Sequence, residues 1–247
     1  TGYNISQFSP NSKKIIVDID KNEIGKHKFS IDLPIIADLN EFFNLINKKY
    51  PLNIKNWLEY VTELRKSQQY FHKKHKNIKD YTSFYYLISK APKIFKQIPI
   101  VTSNGTAHVV TLQMYNLNKN QRLFTNVGCA SMGYGLPASI GASIANNKQD
   151  TICIEGDGSI LMNLQELQTI KGYNLPIKII IINNNGYLSI KLTQESFFGG
   201  KEFASGPENG VTIPSFKKIS KAFDIPYFKI KSNKYINSVL EKAINKK

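Results

Sequence analysis

The chain has 247 residues, with 33 Lys and Arg against 18 Asp and Glu, a formal net charge of +15. Hydrophobic residues make up 41% and aromatics 11%, enough for a packed core, which excludes wholesale disorder. All the basic residues except Arg65 and Arg122 are Lys, whereas readers of phosphate and bases lean on the Arg fork, so the charge does not by itself argue for nucleic acid.

Cys129 and Cys153 stand 24 positions apart and neither has a CxxC partner. This excludes a disulfide framework and argues against a zinc site. Both are expected to be reduced, buried thiols in a cytoplasmic protein. No apolar run approaches the ~18 residues of a membrane span; Ile177 to Ile182 is interrupted by Lys178. The opening Thr1-Gly2-Tyr3-Asn4 is neither a start methionine nor a signal peptide, so the chain is read as beginning inside a longer protein.

Residues 13–20 (KKIIVDID) read as a buried strand, and Ile31 to Ile36 as a second. Asp38 caps a helix expected over 39–48, with Leu39, Phe42, Phe43 and Ile46 on one face. Residues 1–50 are too few to fold alone and read as the tail of a domain. Residues 51–80 read as a helical linker, and the basic cluster 72–76 as a solvated helix end. From 81 to 247 the pattern becomes a domain of its own. Helix (81–91), strand (99–102), a turn at Gly105 and helix (107–116) lead into a Gly-rich loop (127–135). Helix (137–146), strand (151–155), loop (156–159), helix (164–171), strand (177–182) and loop (183–186) follow. A helix (215–223), a strand (227–230) and a terminal helix (236–245) close it. Strands alternating with helices predict an α/β fold, a parallel sheet with helices on both faces. Such folds bind ligands at the carboxyl ends of their strands, where the most polar loops lie.

The strongest motif is Gly156-Asp157-Gly158-Ser159, with 24 residues separating Gly158 from Asn183-Asn184. Each piece follows an apolar strand, and neighbouring parallel strands would bring both loops to one sheet edge. A carboxylate and an amide oxygen are hard ligands suited to Mg²⁺, which completes its octahedron with phosphate and water oxygens. Glycines at 156 and 158 let backbone N–H groups approach such phosphates.

This pattern resembles the signature of thiamine-diphosphate-dependent enzymes. TNVGCASMGYGLPASIGA (125–142) and EGDGSILMNLQELQTIKGYNLPIKIIIINNNGYLSI (155–190) resemble the cofactor-binding domain of the acetolactate synthase group. SPNSKKIIVDIDKNEIGK, at the start, resembles the end of that group's Rossmann-like middle domain. The resemblance implies Asp157, Asn184 and the Gly186 carbonyl as Mg²⁺ ligands. It implies Gly156, Gly158, Ser159 and the turn Asn104-Gly105-Thr106 around the diphosphate. Met132 matches the residue that wedges under the cofactor and bends it, Ala130 offers a carbonyl to its aminopyrimidine amine, and Tyr187 is a further cofactor contact. The implied reaction decarboxylates a 2-keto acid such as pyruvate and ligates the two-carbon unit to a second keto acid. The implied assembly is a homo-oligomer, with neither nucleic acid nor membrane as partner, and FAD stays an open possibility.

Three departures accompany the resemblance. The family's activating Glu belongs to an N-terminal domain that these residues do not include, so no catalytic residue is assigned and the chain alone is expected to be inactive. Thr193 stands where acetolactate synthases carry Trp, and Ile190 where related decarboxylases carry Glu. Another decarboxylase or carboligase, or a non-catalytic cofactor-binding module, are therefore kept as alternatives. His108 is read as a helix residue near the diphosphate turn, Cys129 as a small buried thiol. Residues 192–210 are read either as a lid or as a passive surface loop.

Overall fold

The structure, a computed structural model, describes residues 4–46, 53–67 and 73–246. It divides into two compact units, Thr1–Lys66 and Ser67–Lys247.

In the first unit, β1 (Ile15–Asp18) and β2 (Leu33–Ile36) pair in parallel, with Ile15 opposite Leu33 and Asp18 opposite Ile36. Between them runs α1 (Lys21–Gly25), which the sequence did not suggest; Asp20 caps it by accepting from the Asn22 N–H at 2.8 Å. α2 (Leu39–Ile46) starts behind Asp38, whose carboxylate accepts from the Asn40 N–H at 2.7 Å. Residues 47 and 48 of the expected helix lie outside the described residues. α3 (Lys55–Ser67) follows. The expectation of a buried first strand is corrected: Ile15 is 60% exposed and the rest of β1 only partly covered. Two strands and their short helices cannot cover both sheet faces.

The second unit opens on the turn α4 (Lys73–Lys76), where the His75 ring stacks on Tyr85; His72 lies outside the described residues. Then come α5 (Phe84–Phe95), β3 (Ile100–Thr102), α6 (Gly105–Met114), β4 (Leu123–Thr125), α7 (Gly135–Ala145) and β5 (Thr151–Gly156). The chain continues through α8 (Asp157–Ile160), α9 (Glu166–Gly172), β6 (Ile177–Ile182), α10 (Leu188–Phe197), α11 (Phe216–Ala222) and α12 (Ile236–Ile244). The sheet order is β4-β3-β5-β6 and every pairing is parallel.

Alternation along the strands builds two cores. Ile152 and Ile154 of β5, with Ile180 and Ile182 of β6, face one core with α5, α6 and α12. Cys153, with Ile177, Ile179 and Ile181, faces the other with Leu136, Leu167, Ile170 and Phe216. The period of two therefore sends one half of each strand to each helical layer. The α/β fold with helices on both faces is what the alternation of elements predicted.

Further elements of this unit differ from expectation. β4 went unread. α10 occupies the start of the stretch read as a loop; its apolar residues at 188, 190 and 192 alternate by two, which hides a helix. The strand expected over 227–230 does not form. The Ile230 carbonyl accepts instead from the Thr82 hydroxyl at 3.0 Å, and the Ile230 side chain packs on the first core.

Candidate functional site

Because β3 to β6 are parallel, their carboxyl ends share one edge. That edge carries four loops: 103–104, 126–134, the β5–α8 junction and 183–187. Asp157 sits at the junction, 1% exposed. Its Oδ1 accepts from the Gly158 N–H at 2.7 Å. Its Oδ2 accepts from the N–H groups of Asn185 and Gly186, at 2.6 and 3.2 Å. The two halves of the GDG…NN motif therefore meet at neighbouring strand ends. Burial pushes the Asp157 carboxyl above its ordinary value, against the opposing pull of the N–H groups of 158, 186, 185 and 184. Asn183 and Asn184 are exposed and Gly186 is buried. Gly158 lies under the Tyr187 ring so closely that a Cβ there would overlap it; glycine is what this approach requires.

The turn at 104–106 forms the start of α6. Asn104 does not cap that helix with its side chain; its Nδ2 donates to the Ala130 carbonyl at 3.0 Å. The acceptor that the resemblance assigns to an aminopyrimidine amine is thus engaged within the chain. Ala130 is exposed and holds φ at 49°, a backbone region that costs a non-glycine residue of order 1 kcal/mol. Met132 is half-buried in the same loop. Ser159 Oγ accepts from the Gly133 N–H at 2.9 Å and lies 3.0 Å from Ser103 Oγ. Its hydroxyl is occupied inside the protein, which leaves its backbone at the first turn of α8 for an anion. His108 Nδ1 lies 2.7 Å from Thr125 Oγ1, bridging α6 to the end of β4. Cys129 is exposed, which corrects its reading as a buried thiol; only Cys153 is buried.

The stretch 192–210, read as a lid or a passive loop, opens on the second half of α10 and is pinned beyond it. The Gln194 side chain accepts from the Phe203 N–H at 3.1 Å and donates to its carbonyl at 2.8 Å. Asn209 Oδ1 accepts from the N–H groups of Ser205 and Gly206, at 2.6 and 2.7 Å. The Ser205 carbonyl accepts from the Tyr187 N–H at 2.8 Å, tying the segment to the loop after β6. Phe197, Phe198 and Phe203 stay exposed.

Sequence reasoning missed Asn163, which holds Gly133, Glu155, which holds Gly135 just past the 126–134 loop, and Ser103, whose hydroxyl meets that of Ser159. Glu155 was readable only as part of a strand. It is fully buried, with Oε1 accepting from the Gly135 N–H at 2.7 Å and Oε2 making no hydrogen bond of good geometry. Burial pushes its carboxyl up, against the pull of the Ser159 and Ser103 hydroxyls and the N–H groups of Gly135 and Gly156. A carboxylate standing before a GDG motif was the one available signal.

Among the described residues, no three His, Cys, Asp or Glu side chains gather as a metal cage. A divalent ion here would rely on one carboxylate plus amide and backbone oxygens, a donor set that fits Mg²⁺.

Residues 103–247 match the family described as "Thiamine pyrophosphate enzyme, C-terminal TPP binding domain". The chain belongs to this family. It spans the thiamine-diphosphate-binding domain and residues ahead of it. It is similar to the acetolactate synthase large subunit of Buchnera aphidicola subsp. Schizaphis graminum, 32% identical over 100% of this chain and 43% of that protein. The acetolactate synthase large subunit of Pyropia yezoensis is 33% identical over 98% of this chain and 41% of its own length. The probable acetolactate synthase large subunit of Methanococcus aeolicus is 30% identical over 98% and 42%. The chain thus spans about two-fifths of the curated relatives it matches. Among the described residues no helix is long and apolar enough to cross a membrane.

Proposed function

We propose that the chain holds Mg²⁺ and thiamine diphosphate at this sheet edge, as part of an enzyme that decarboxylates a 2-keto acid and ligates the product to a second one. The meeting of the Asp157 carboxylate with the loop after β6 carries the proposal. Asp157, the Asn184 amide oxygen and the Gly186 carbonyl would hold the ion. Gly156, Gly158, the Ser159 backbone and Asn104-Gly105-Thr106 would surround the diphosphate. Met132, Ala130 and Tyr187 would contact the rest of the cofactor. When bound, thiamine diphosphate supplies an electron sink for the carbanion left by loss of CO₂. The chain's own residues would orient it: the Asp157 carboxylate would hold the ion, and the half-buried Met132 would offer an apolar surface. The proposed donor is pyruvate, in an oligomeric cytoplasmic parent that serves branched-chain amino acid synthesis. FAD has no proposed site among these residues.

A second reading, another thiamine-diphosphate decarboxylase or carboligase, draws on α10. Ile190 and Thr193 are both exposed there, and the Thr193 hydroxyl is spent on the Ser189 carbonyl at 2.9 Å. Neither offers the Glu or Trp of the families compared above. The deciding experiment supplies the protein in its longest native form with Mg²⁺, thiamine diphosphate and pyruvate, and quantifies pyruvate loss and acetolactate together. Acetolactate in step with pyruvate loss supports the first reading; pyruvate loss to another product supports the second. No pyruvate loss with cofactor bound means a different donor or a non-catalytic module.

A further inference from the structure

The 126–135 segment is held by four side chains, of which Glu155 and Asn163 have no part in the proposed function. Glu155 Oε1 accepts from the Gly135 N–H at 2.7 Å. Ser159 Oγ accepts from the Gly133 N–H, and Asn163 Nδ2 donates to the Gly133 carbonyl at 3.0 Å. Asn104 Nδ2 holds the Ala130 carbonyl. Both residues flanking Ser131 and Met132 are therefore tethered, and Gly135, where α7 begins, is tethered as well. Glu155 is the costly member of this set. It is fully buried, and its Oε2 has no hydrogen-bond partner of good geometry. An apolar side chain of similar volume would fill the space at lower cost. What Glu supplies and such a side chain lacks is an acceptor for the N–H at the end of the loop. The packing is tight: a Cβ on Gly135 would lie 2.5 Å from Glu155 Oε1.

We propose that Glu155 is a positioning residue that fixes the 126–135 segment, and with it Ala130 and Met132, to receive the organic half of thiamine diphosphate rather than its diphosphate. The proposal rests on the cofactor reading above. It separates two halves of one site: the GDG and Asn-Asn loops for ion and diphosphate, the Glu155-held loop for the rings.

The test compares Mg²⁺-dependent binding of thiamine diphosphate with that of inorganic diphosphate by calorimetry. Amide hydrogen exchange of the ligand-free chain is followed alongside. Glu155→Ala should weaken thiamine diphosphate binding about tenfold or more, the loss expected when a buried N–H is left without its acceptor, and change diphosphate binding by less than about threefold, well inside one surface contact's worth. Exchange should speed up across 126–135 and stay unchanged at 183–187. Glu155→Gln, which keeps the acceptor, should restore both. If Glu155→Ala does not fold, Gly135→Ala breaks the same bond from the other side and should show the same split. Equal losses for the two ligands, unchanged exchange at 126–135, a Gln variant that behaves like Ala, or wild-type thiamine diphosphate affinity in Gly135→Ala would each overturn the proposal. A wild-type chain that binds neither ligand would overturn the cofactor reading instead, and the exchange data would then decide alone whether Glu155 holds the loop.

Discussion

Two strands in this chain end in the same way and come to different ends. β1 runs out through Val17-Asp18-Ile19-Asp20, and β5 through Ile154-Glu155-Gly156-Asp157. At the end of β1 the carboxylates turn inward on their own segment: Asp18 accepts from the Asp20 N–H at 2.9 Å and Asp20 from the Asn22 N–H at 2.8 Å. At the end of β5 the carboxylate reaches across to the loop of the next strand, at Asn185 and Gly186. The local chemistry is the same, an acid at a strand end seeking backbone N–H groups. What differs is the sheet. β5 has a neighbour on each side and a helical layer on each face, so its acid is buried and meets a long-range partner. Among the described residues β1 has one neighbour, and its acids are served by the nearest N–H.

The largest effect should come from removing the acid at the end of β5, with the acid at the end of β1 as its control. Asp157→Ala should weaken Mg²⁺-dependent thiamine diphosphate binding roughly a thousandfold, a loss of ~4 kcal/mol, with the circular dichroism spectrum unchanged. Asp18→Ala should leave that binding as it is. Unaltered calorimetric affinity in Asp157→Ala would erase the contrast. Next comes the packing behind the acids. Ile154→Ala, in a fully buried site, should cost about 2–5 kcal/mol in denaturant unfolding. Ile15→Ala, on a mostly exposed side chain, should cost well under ~1 kcal/mol. Smaller still is the local cap: Asp20→Ala should cost ~1 kcal/mol, seen as faster amide exchange in α1.

The smallest effect is a slope. Burial raises the Glu155 carboxyl above its ordinary 4.5, so the folded state keeps a proton that the unfolded chain releases. That stabilising contribution is complete below about 4.5 and is lost as pH rises through the folded value. Asp157 shifts in the same direction. Thermal melts from pH 4.5 to 8 should show Glu155→Gln gaining on wild type as pH rises. Parallel curves would contradict it.

The contrast also explains what was legible in the sequence. The apolar strands before Asp157 and Asn183 and the spacing between them are local or periodic features, and they sufficed to bring the two loops to one edge. The tethers at Ser103, Glu155 and Asn163 were not legible, because a hydrogen bond between residues 20 to 56 positions apart leaves no periodic trace. α10 misled for the opposite reason: its period of two is genuine, but it sits on an exposed helix where burial does not enforce 3.6. The exposure of β1 was hidden because an isolated run such as Ile-Ile-Val looks the same at the border of a sheet as in its middle.

Lys178 interrupts the isoleucines of β6, and β6 is the last strand of its sheet among the described residues. Its ammonium lies 3.3 Å from Asp150 and its side chain is largely covered. An unpaired strand border of β-branched residues is a template for another chain's backbone, and one inserted charge is an economical guard against such pairing. Lys178→Ile would turn this border into six consecutive isoleucines. The cost would fall on the chain as it folds, as turbidity on dilution from denaturant, with the native fold itself intact.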